Sequence, residues 1–283
     1  MLKLVRWLSS WPLWLLHVLG AALGWLTYAL SPSYRSRLRA NAARAGLGVA
    51  DRRASVAEAG RLVSELPRLW LRPPAQGIAD PLQWQGRELL QAKLDRGRGL
   101  VLLTPHLGSF EVSAQAYAEA FGRQRPITVL YRPARKRWLR ELEETARARP
   151  ALATAPATLA GVRQMLRALK RGDTVGLLPD QVPPAGMGVW VPFFGQPAYT
   201  MTLAARLVQQ TGAEVALLWT ERLADGRGYL VHAQDLPQPL PERGDEASAL
   251  VINQAMEDVI RQCPRQYLWG YHRYKQPRQQ EPA

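Results

Sequence analysis

The chain has 283 residues and a formal net charge of +14 at pH 7, from 37 Lys and Arg residues against 23 Asp and Glu residues. Apolar residues make up 47% of it and charged residues 21%, so neither a disordered tail nor a polytopic membrane protein fits. Its single cysteine, Cys263, excludes an intramolecular disulfide, and its four His residues show no zinc-ligand spacing. The charge indicates a polyanionic partner: nucleic acid, an anionic membrane, a phosphorylated substrate or an acidic carrier protein.

The first element in chain order is an uncharged apolar run from Trp7 to Leu30. It is long enough to cross a bilayer core of about 30 Å as a helix. Trp7, Trp11, Trp14 and Trp25 fall on one helical stripe and cluster near the two ends of the run, as aromatic residues do at membrane interfaces. Three interpretations stay open: a cleaved signal peptide, a membrane span, which is favoured, and a helix lying in the interface.

Basic residues around this run predict its orientation. Four arginines follow it within residues 35–44, whereas only Lys3 and Arg6 precede it. The positive-inside rule therefore places the following chain in the cytoplasm. We expect residues 1–34 to form a membrane-anchoring helix with a basic flank, and residues 35–283 to form one cytoplasmic domain.

The remaining chain predicts helices that alternate with short strands. Helices are expected at 51–72, 88–95, 109–121, 159–170, 201–210 and 246–262. Strands are expected at 100–103, 127–131, 174–178, 214–220 and 228–233. This alternation predicts an α/β fold with a central, mostly parallel (mixed) sheet flanked by helices. No glycine-rich phosphate loop follows a strand, so a nucleotide cofactor is not expected.

Two polar clusters follow predicted strands, where ligands gather in open α/β sheets. One contains His106 and Glu111, and the other is Pro179-Asp180-Gln181. With Gly108-Ser109 as bend and N-cap, the Glu111 carboxylate in the first helical turn can reach back to one imidazole nitrogen. The other nitrogen is then free to take a proton from a substrate hydroxyl. A surface His beside an acid at a helix N-terminus fits the same spacing.

Arginines between the two clusters are candidates for anion binding. Arg132 directly follows the second predicted strand, and Arg147 and Arg149 lie on the next segment. An arginine at a strand end can bind a phosphate or a developing oxyanion, and Asp180 can orient it through a bidentate pair. A solvated charged face and a structural ion pair are the alternatives.

Several motifs in order along the chain resemble those of the bacterial lipid A late acyltransferases, the lauroyl/myristoyl family of the His-x4-Asp/Glu glycerolipid acyltransferase group. They are the His106-x4-Glu111 turn, Tyr131-Arg132-Pro133, Pro179-Asp180-Gln181, the segment 188–195 and the segment 266–275. The family often has an Asp or His directly after its Pro-Asp pair. Gln181 stands there in this chain, so acyl chain length and acceptor are not carried over.

The resemblance implies roles for individual residues. His106 would be the general base that deprotonates a hydroxyl of a lipid A precursor, with Glu111 as its relay partner. Asp180 would support the site together with an arginine, Arg147 first and Arg149 second. Aromatic residues of the predicted loop 186–195 are candidates for lining an acyl tunnel or for ordinary core: Trp190, Phe193 and Phe194.

The resemblance also implies partners and a location. Acyl–acyl carrier protein would donate the acyl group to a phosphorylated glycolipid, with no metal, nucleotide or other cofactor and no nucleic acid. The domain would lie on the cytoplasmic side of the bacterial inner membrane. The alternatives are acylation of another membrane lipid, such as a lysophospholipid or an aminolipid, and a non-enzymatic basic membrane-associated binding protein.

Overall fold

A computed structural model describes residues 2–73, 75–131 and 149–279 of the chain. Its helices are α1 (Leu2–Ser9), α2 (Leu13–Leu30), α3 (Pro32–Arg44), α4 (Val49–Trp70), α5 (Arg87–Asp95), α6 (Phe110–Phe121), α7 (Leu159–Lys170), α8 (Leu203–Thr211) and α9 (Asp245–Gln262). Its strands are β1 (Leu82–Gln85), β2 (Leu100–Leu103), β3 (Ile127–Tyr131), β4 (Leu152–Pro156), β5 (Thr174–Leu177), β6 (Gly188–Phe193), β7 (Gln196–Met201), β8 (Glu214–Arg222) and β9 (Tyr229–Gln234).

Seven of these strands form one central sheet in the order β1-β9-β8-β2-β5-β3-β4. All neighbouring pairs are parallel except β8 and β9, which are antiparallel. Every residue of β2 and β5 is buried, as expected for central parallel strands that helices cover on both faces. The predicted α/β class with a mostly parallel, mixed sheet is confirmed.

The sheet separates two apolar clusters because successive side chains of a strand point to opposite faces. Val101 and Leu103 of β2 belong to the cluster that also contains apolar residues of α7, α8 and α9. Leu100 and Leu102 belong to the cluster on the other face, with residues of α5 and α6. The sheet is therefore the middle layer of three, and its strand ends are the places where polar residues can gather.

The structure adds strands that the sequence does not predict. Edge strand β1 has only four residues, and edge strand β4 has only one large apolar residue, Leu152. The predicted loop 186–195 is instead most of a hairpin, in which β6 and β7 pair antiparallel around Phe194 and Gly195. Both turn residues have positive φ, and a phenylalanine is not a residue that signals such a turn.

Helix α2 packs along α4 instead of standing apart from the domain. A Cβ atom added to Gly60 of α4 would lie 1.9 Å from the carbonyl oxygen of Gly20, and one added to Gly24 would lie 2.3 Å from that of Val56. Only glycine permits this approach of the two backbones. The predicted boundary between anchor and domain, at residue 34, falls inside α3.

A buried set of polar side chains ties α2 and α4 to the sheet, and we call it the α2–α4 network: His17, Glu58, Glu65, Arg222 and Tyr229. Arg222 donates through Nε to Glu58 (3.2 Å) and through Nη1 to Glu65 (3.3 Å). Glu65 also accepts from the Tyr229 hydroxyl (3.3 Å) and lies 3.2 Å from His17 Nε2. Burial alone would lower the pKa of Arg222, but the charges of Glu65 and Glu58 raise it.

The opposite side of α2 is an apolar surface. Its large exposed side chains are Trp14, Val18, Leu23, Trp25, Leu26 and Leu30. By length and composition α2 is apolar enough to cross a membrane, and 28% of its residues are buried in the fold. The chain therefore has one apolar helix near its N-terminus that is a candidate membrane anchor.

Candidate active site

The site begins where two neighbouring strands end. β2 and β5 pair in parallel with Leu103 opposite Leu177, so the residues that follow them leave the sheet at the same edge. The Asp180 carboxylate bonds twice to His106: Oδ1 lies 2.7 Å from Nδ1, and Oδ2 accepts the backbone N–H at 2.9 Å. One carboxylate therefore holds both the ring and the backbone of the histidine.

Gln181 occupies the second ring nitrogen. In the neutral imidazole, Nδ1–H donates to the Asp180 carboxylate, and Nε2 then carries the lone pair. The Gln181 amide nitrogen lies 2.9 Å from Nε2 and is placed to donate to it. The His106 side chain is 14% exposed, so its basic nitrogen lies near solvent and is covered by the neutral side chain of Gln181.

Asp180 is ionised although it is buried. Burial alone would raise the pKa of its carboxyl group, but the positive charge that His106 carries when it is protonated, the two hydrogen bonds from His106 and the charge of Arg273 together lower it. Arg273 is buried as well, which lowers the pKa of its guanidinium against the opposing effect of Tyr267 and Asp180. Its terminal nitrogens donate to the Tyr199 carbonyl and the Thr200 hydroxyl, both at 2.7 Å.

Tyr267 completes this group, which we call the strand-edge cluster: His106, Asp180, Gln181, Tyr267 and Arg273. Burial, together with the charge and a hydrogen bond of Asp180, raises the pKa of Tyr267 well above its ordinary value. The phenol is therefore neutral. The cluster thus combines one base, one buried carboxylate, one buried cation and two neutral polar groups.

The backbone around His106 is held by distant segments. The Leu268 N–H donates to the His106 carbonyl (3.2 Å), and the Ser109 N–H donates to the Thr220 carbonyl (2.8 Å). Gly108 has φ +59°, and a Cβ atom there would lie 1.9 Å from the Thr220 carbonyl oxygen, so this bend requires glycine. Ser109 immediately precedes α6, as predicted, but its side chain makes no capping hydrogen bond within the described helix.

The structure places Glu111 differently from the sequence-based expectation. Glu111 does lie in the first turn of α6, where its Oε2 accepts from Trp70 Nε1 at 3.4 Å. The expected bond between Glu111 and the imidazole is replaced in the described residues by the bonds of His106 to Asp180 and Gln181. Asp180 prevails because β2 and β5 are adjacent, which brings together two residues 74 positions apart in sequence.

The predicted arginines have separate outcomes. Arg149 binds the carboxyl end of α4 and its following loop, donating to the carbonyls of Leu69 and Pro73 at 3.0 Å. Burial lowers the pKa of its guanidinium. Arg149 thus bonds to the end of α4 and not to Asp180. Among the described residues, Arg273 is the arginine whose charge acts on Asp180. Arg132 and Arg147 lie outside the described residues.

Sequence reasoning missed Arg273 as a member of the site, although it belongs to the family-like segment 266–275. The buried guanidinium also lies 5.0 Å from the centroid of the Phe193 ring. Phe193 and Phe194 are both core residues, whereas Trp190 is exposed. The space beside Phe193, Tyr267 and Arg273 measures about 10 Å³, which suits one water-sized group and not an acyl chain.

Across residues 2–73, 75–131 and 149–279, no group of three or more His, Cys, Asp or Glu side chains is arranged to hold a metal ion. The arrangement at His106 is suited to general base chemistry. The ring has one nitrogen fixed by a carboxylate and a second nitrogen whose lone pair faces a displaceable amide.

Comparison with known proteins identifies the family of the chain. The model of the bacterial lipid A biosynthesis acyltransferase family matches residues 2–276. The chain is 28% identical over 205 residues to a lipid A biosynthesis lauroyltransferase of Escherichia coli (strain K12), covering 71% of this chain and 64% of that protein. It is 24% identical over 217 residues to a lipid A biosynthesis palmitoleoyltransferase of Escherichia coli (strain K12) and to a lipid A biosynthesis acyltransferase of Shigella flexneri, covering 76% of this chain and 68% of each relative. The chain therefore matches about two thirds of the length of these relatives. It belongs to the bacterial lipid A biosynthesis acyltransferase family.

Proposed function

We propose that this chain transfers a fatty acyl group from acyl–acyl carrier protein to a hydroxyl of a lipid A precursor. The observation that carries the proposal is the position of His106, held by Asp180 at a strand edge with its other nitrogen facing Gln181. Family membership and the names of the relatives support the reaction class and the acceptor.

The chemistry needs one base and no covalent acyl-enzyme. The acceptor hydroxyl displaces the Gln181 amide from His106 Nε2, and Nε2 removes its proton as the oxygen attacks the thioester carbonyl carbon. Asp180 keeps the Nδ1–H and stabilises the imidazolium that forms. The tetrahedral intermediate collapses with cleavage of the C–S bond, and Nε2 returns the proton to the leaving thiolate of the carrier.

In this mechanism Asp180 has the part that the His-x4-Glu spacing assigns to Glu111. Glu111 remains a candidate relay residue in the proposal, because it follows Phe110, whose ring lies 4.9 Å from the imidazole. Arg132 and Arg147 remain candidates for binding the phosphorylated acceptor or the developing oxyanion. Arg149 positions the end of α4, from which Trp70 donates to Glu111.

The surface of the molecule suits the proposed partners. A carrier protein with acidic helices and a phosphorylated glycolipid are polyanions, and a chain with a net charge of +14 attracts both. The apolar surface of α2 would keep the domain on the cytoplasmic side of the inner membrane, beside the acceptor.

The experiment offers labelled acyl–acyl carrier protein to the purified protein with a lipid A precursor, a lysophospholipid and an aminolipid together. Mass spectrometry then identifies the lipid that gains the chain. We expect label on the lipid A precursor, and label on either competitor alone would replace the proposed acceptor. Vesicle binding without transfer to any lipid would favour the non-enzymatic alternative.

The matched variant is His106→Gln, which can still donate a hydrogen bond to Asp180 but cannot act as a base. We expect kcat to fall by about 10² to 10⁴-fold, the usual contribution of a general base. Its unfolding temperature should stay close to that of the wild type. Wild-type turnover by this variant would remove the proposed role of His106.

A further inference from the structure

A second cavity, lined by both arginines and apolar side chains, lies away from the strand-edge cluster, between α2, α3 and the beginning of α4. Its volume is about 260 Å³, and its lining includes Trp25 and Tyr28 of α2, Arg39 of α3, and Arg52 and Arg53 of α4. A cavity of this size has room for a phosphate group with part of a lipid headgroup. None of these residues has a part in the acyl-transfer mechanism proposed above.

Tyr28 holds the first of the three arginines. Arg39 Nε donates to the Tyr28 hydroxyl at 2.7 Å, and the guanidinium carbon lies 5.6 Å from the centroid of the Tyr28 ring. Among the described residues, no acceptor is bonded to the two terminal nitrogens of Arg39. A guanidinium fixed through Nε in this way can offer both terminal nitrogens to one phosphate group.

The other two arginines have no carboxylate partner in the described part of the chain. Asp51, which precedes them, pairs with Arg265. Arg52 and Arg53 follow the first three residues of α4, at the end of the helix where its dipole disfavours cations. An anionic ligand would supply the missing counter-charge.

The position of the cavity indicates where that anion comes from. Trp25 lines the cavity and also belongs to the exposed apolar surface of α2, beside Leu26. The other side of α2 contacts α4 through Gly20, Gly24 and Gly60, and α4 carries charged residues along its length. Lipid therefore cannot surround α2 unless the charged helix α4 also enters the hydrocarbon. If α2 lies in the interface, its apolar side contacts lipid while its other side stays packed on α4.

We propose that this cavity binds the phosphate-bearing headgroup of an anionic membrane lipid while the apolar surface of α2 lies in the bilayer interface. A tryptophan at headgroup depth beside three arginines is the arrangement expected where an apolar surface meets anionic headgroups. The site rests on the membrane association put forward above and is independent of acyl transfer.

The test measures how the purified full chain partitions onto vesicles of phosphatidylcholine with and without phosphatidic acid. Arg52→Gln/Arg53→Gln removes two charges from the cavity, and Arg6→Gln/Arg227→Gln removes two exposed charges near the other end of α2. A cation attracted to an anionic surface without a specific contact raises the partition constant about fivefold. The partition constant of the control pair should therefore fall by at most about 25-fold. We expect the cavity pair to lose at least about tenfold more than the control pair, and only with phosphatidic acid present. Equal losses for the two pairs would overturn the site.

Two further arms separate the sources of the phosphate. Calorimetric titration with inorganic phosphate in the absence of vesicles should show no binding that depends on Arg52 and Arg53. If it does show such binding while vesicle partitioning is unchanged in the variant, the ligand is a soluble anion and the lipid assignment fails. Unfolding temperatures of both double variants should stay close to that of the wild type. The side chains of Arg52 and Arg53 bond to no other described residue, and Arg227 makes one exposed hydrogen bond, to the Ala224 carbonyl.

The outcome for the membrane site is distinguishable from the outcome for the proposed function. If the wild-type chain binds none of the vesicles, both the headgroup site and the membrane association are overturned. Acyl transfer to a detergent-dispersed acceptor would then still report on His106. Conversely, loss of transfer in His106→Gln should leave vesicle partitioning at the wild-type level.

Discussion

The α2–α4 network and the strand-edge cluster are built from similar side-chain types. Each contains a histidine against a buried carboxylate, with a buried arginine and a buried tyrosine beside them. In the network, the His17 side chain is 7% exposed and Glu65 is fully buried, with Arg222 and Tyr229 as further partners. In the cluster, His106 is twice as exposed and its outer nitrogen faces only the neutral amide of Gln181.

This difference shows that two groups of similar composition can differ in exposure and in the kind of partner that the histidine has. His17 has its Nε2 against a carboxylate that a charged arginine also holds, so the contact is part of a fixed ionic network. His106 stands after a strand end, where ligands collect, and its partner at Nε2 is a group that a hydroxyl can replace. Position in the sheet and a displaceable partner make the second group the candidate site.

The largest effect should come from breaking the α2–α4 network with Arg222→Met. The change removes the cation that Glu58 and Glu65 share: Glu58 keeps Arg61, whereas buried Glu65 keeps only His17 and Tyr229. Breaking a buried ion pair in this way typically costs about 3–5 kcal/mol in the free energy of unfolding. Urea denaturation measures it. Arg227→Met, at an exposed position on the next loop, is the control and should change stability by less than about 0.5 kcal/mol. A similar small change in Arg222→Met would contradict the structural role of the network.

The next effect separates the two carboxylates that compete for the role beside His106. Asp180→Asn keeps the size of the side chain but removes its charge and replaces one of the two oxygens that accept from His106 by an NH2 donor. The ring tautomer is then no longer fixed by a carboxylate, so kcat should fall about 10²-fold or more. Glu111→Gln should lower kcat by less than about tenfold if Asp180 alone orients the base. Acyl-transfer kinetics on both variants decide the question, and the reverse order would restore Glu111 as the relay residue.

A smaller effect is expected from Gln181→Ala. If the acceptor hydroxyl must displace the Gln181 amide, removing one hydrogen bond of about 0.5–1.5 kcal/mol should raise kcat/KM by roughly two- to twelvefold. The value of kcat should stay unchanged, because in the enzyme–substrate complex the Gln181 amide has already been displaced from the imidazole. A fall in kcat/KM would instead mean that the carboxamide binds the substrate, and steady-state kinetics distinguish the two results.

The smallest effect concerns the pH dependence of stability. Because His106 and Arg273 hold the pKa of Asp180 below its ordinary value of 3.8 in spite of burial, the ionised Asp180 stabilises the folded state. This stabilisation is fully present above the ordinary pKa and is lost as the pH falls through the lower pKa of the folded state. The stability difference between wild type and Asp180→Asn should therefore be constant at neutral pH and shrink below about pH 4. Unfolding curves at a series of pH values test it, and a difference that grows in acid would refute the ionised state.

Local patterns were sufficient to predict many elements of this fold. The strands at 100–103 and 127–131 and the helix at 159–170 are found where the sequence predicts them. Each is a compact apolar run or a strongly amphipathic helix with turn residues at its ends, so its own residues specify it. The hairpin of β6 and β7 was missed because its turn depends on positive φ at Phe194, which no local signal marks.

The sequence by itself determined the class of the fold, the family, the strand ends that carry His106 and Asp180, and the apolar helix near the N-terminus. Only the tertiary structure decided that β5 lies beside β2, and hence that Asp180, not Glu111, bonds to the imidazole. It also decided that α2 packs on α4 through glycines and presents one apolar side to the surroundings. Strand order and helix packing are set by contacts between residues far apart in the chain, and spacing along the sequence carries no record of them.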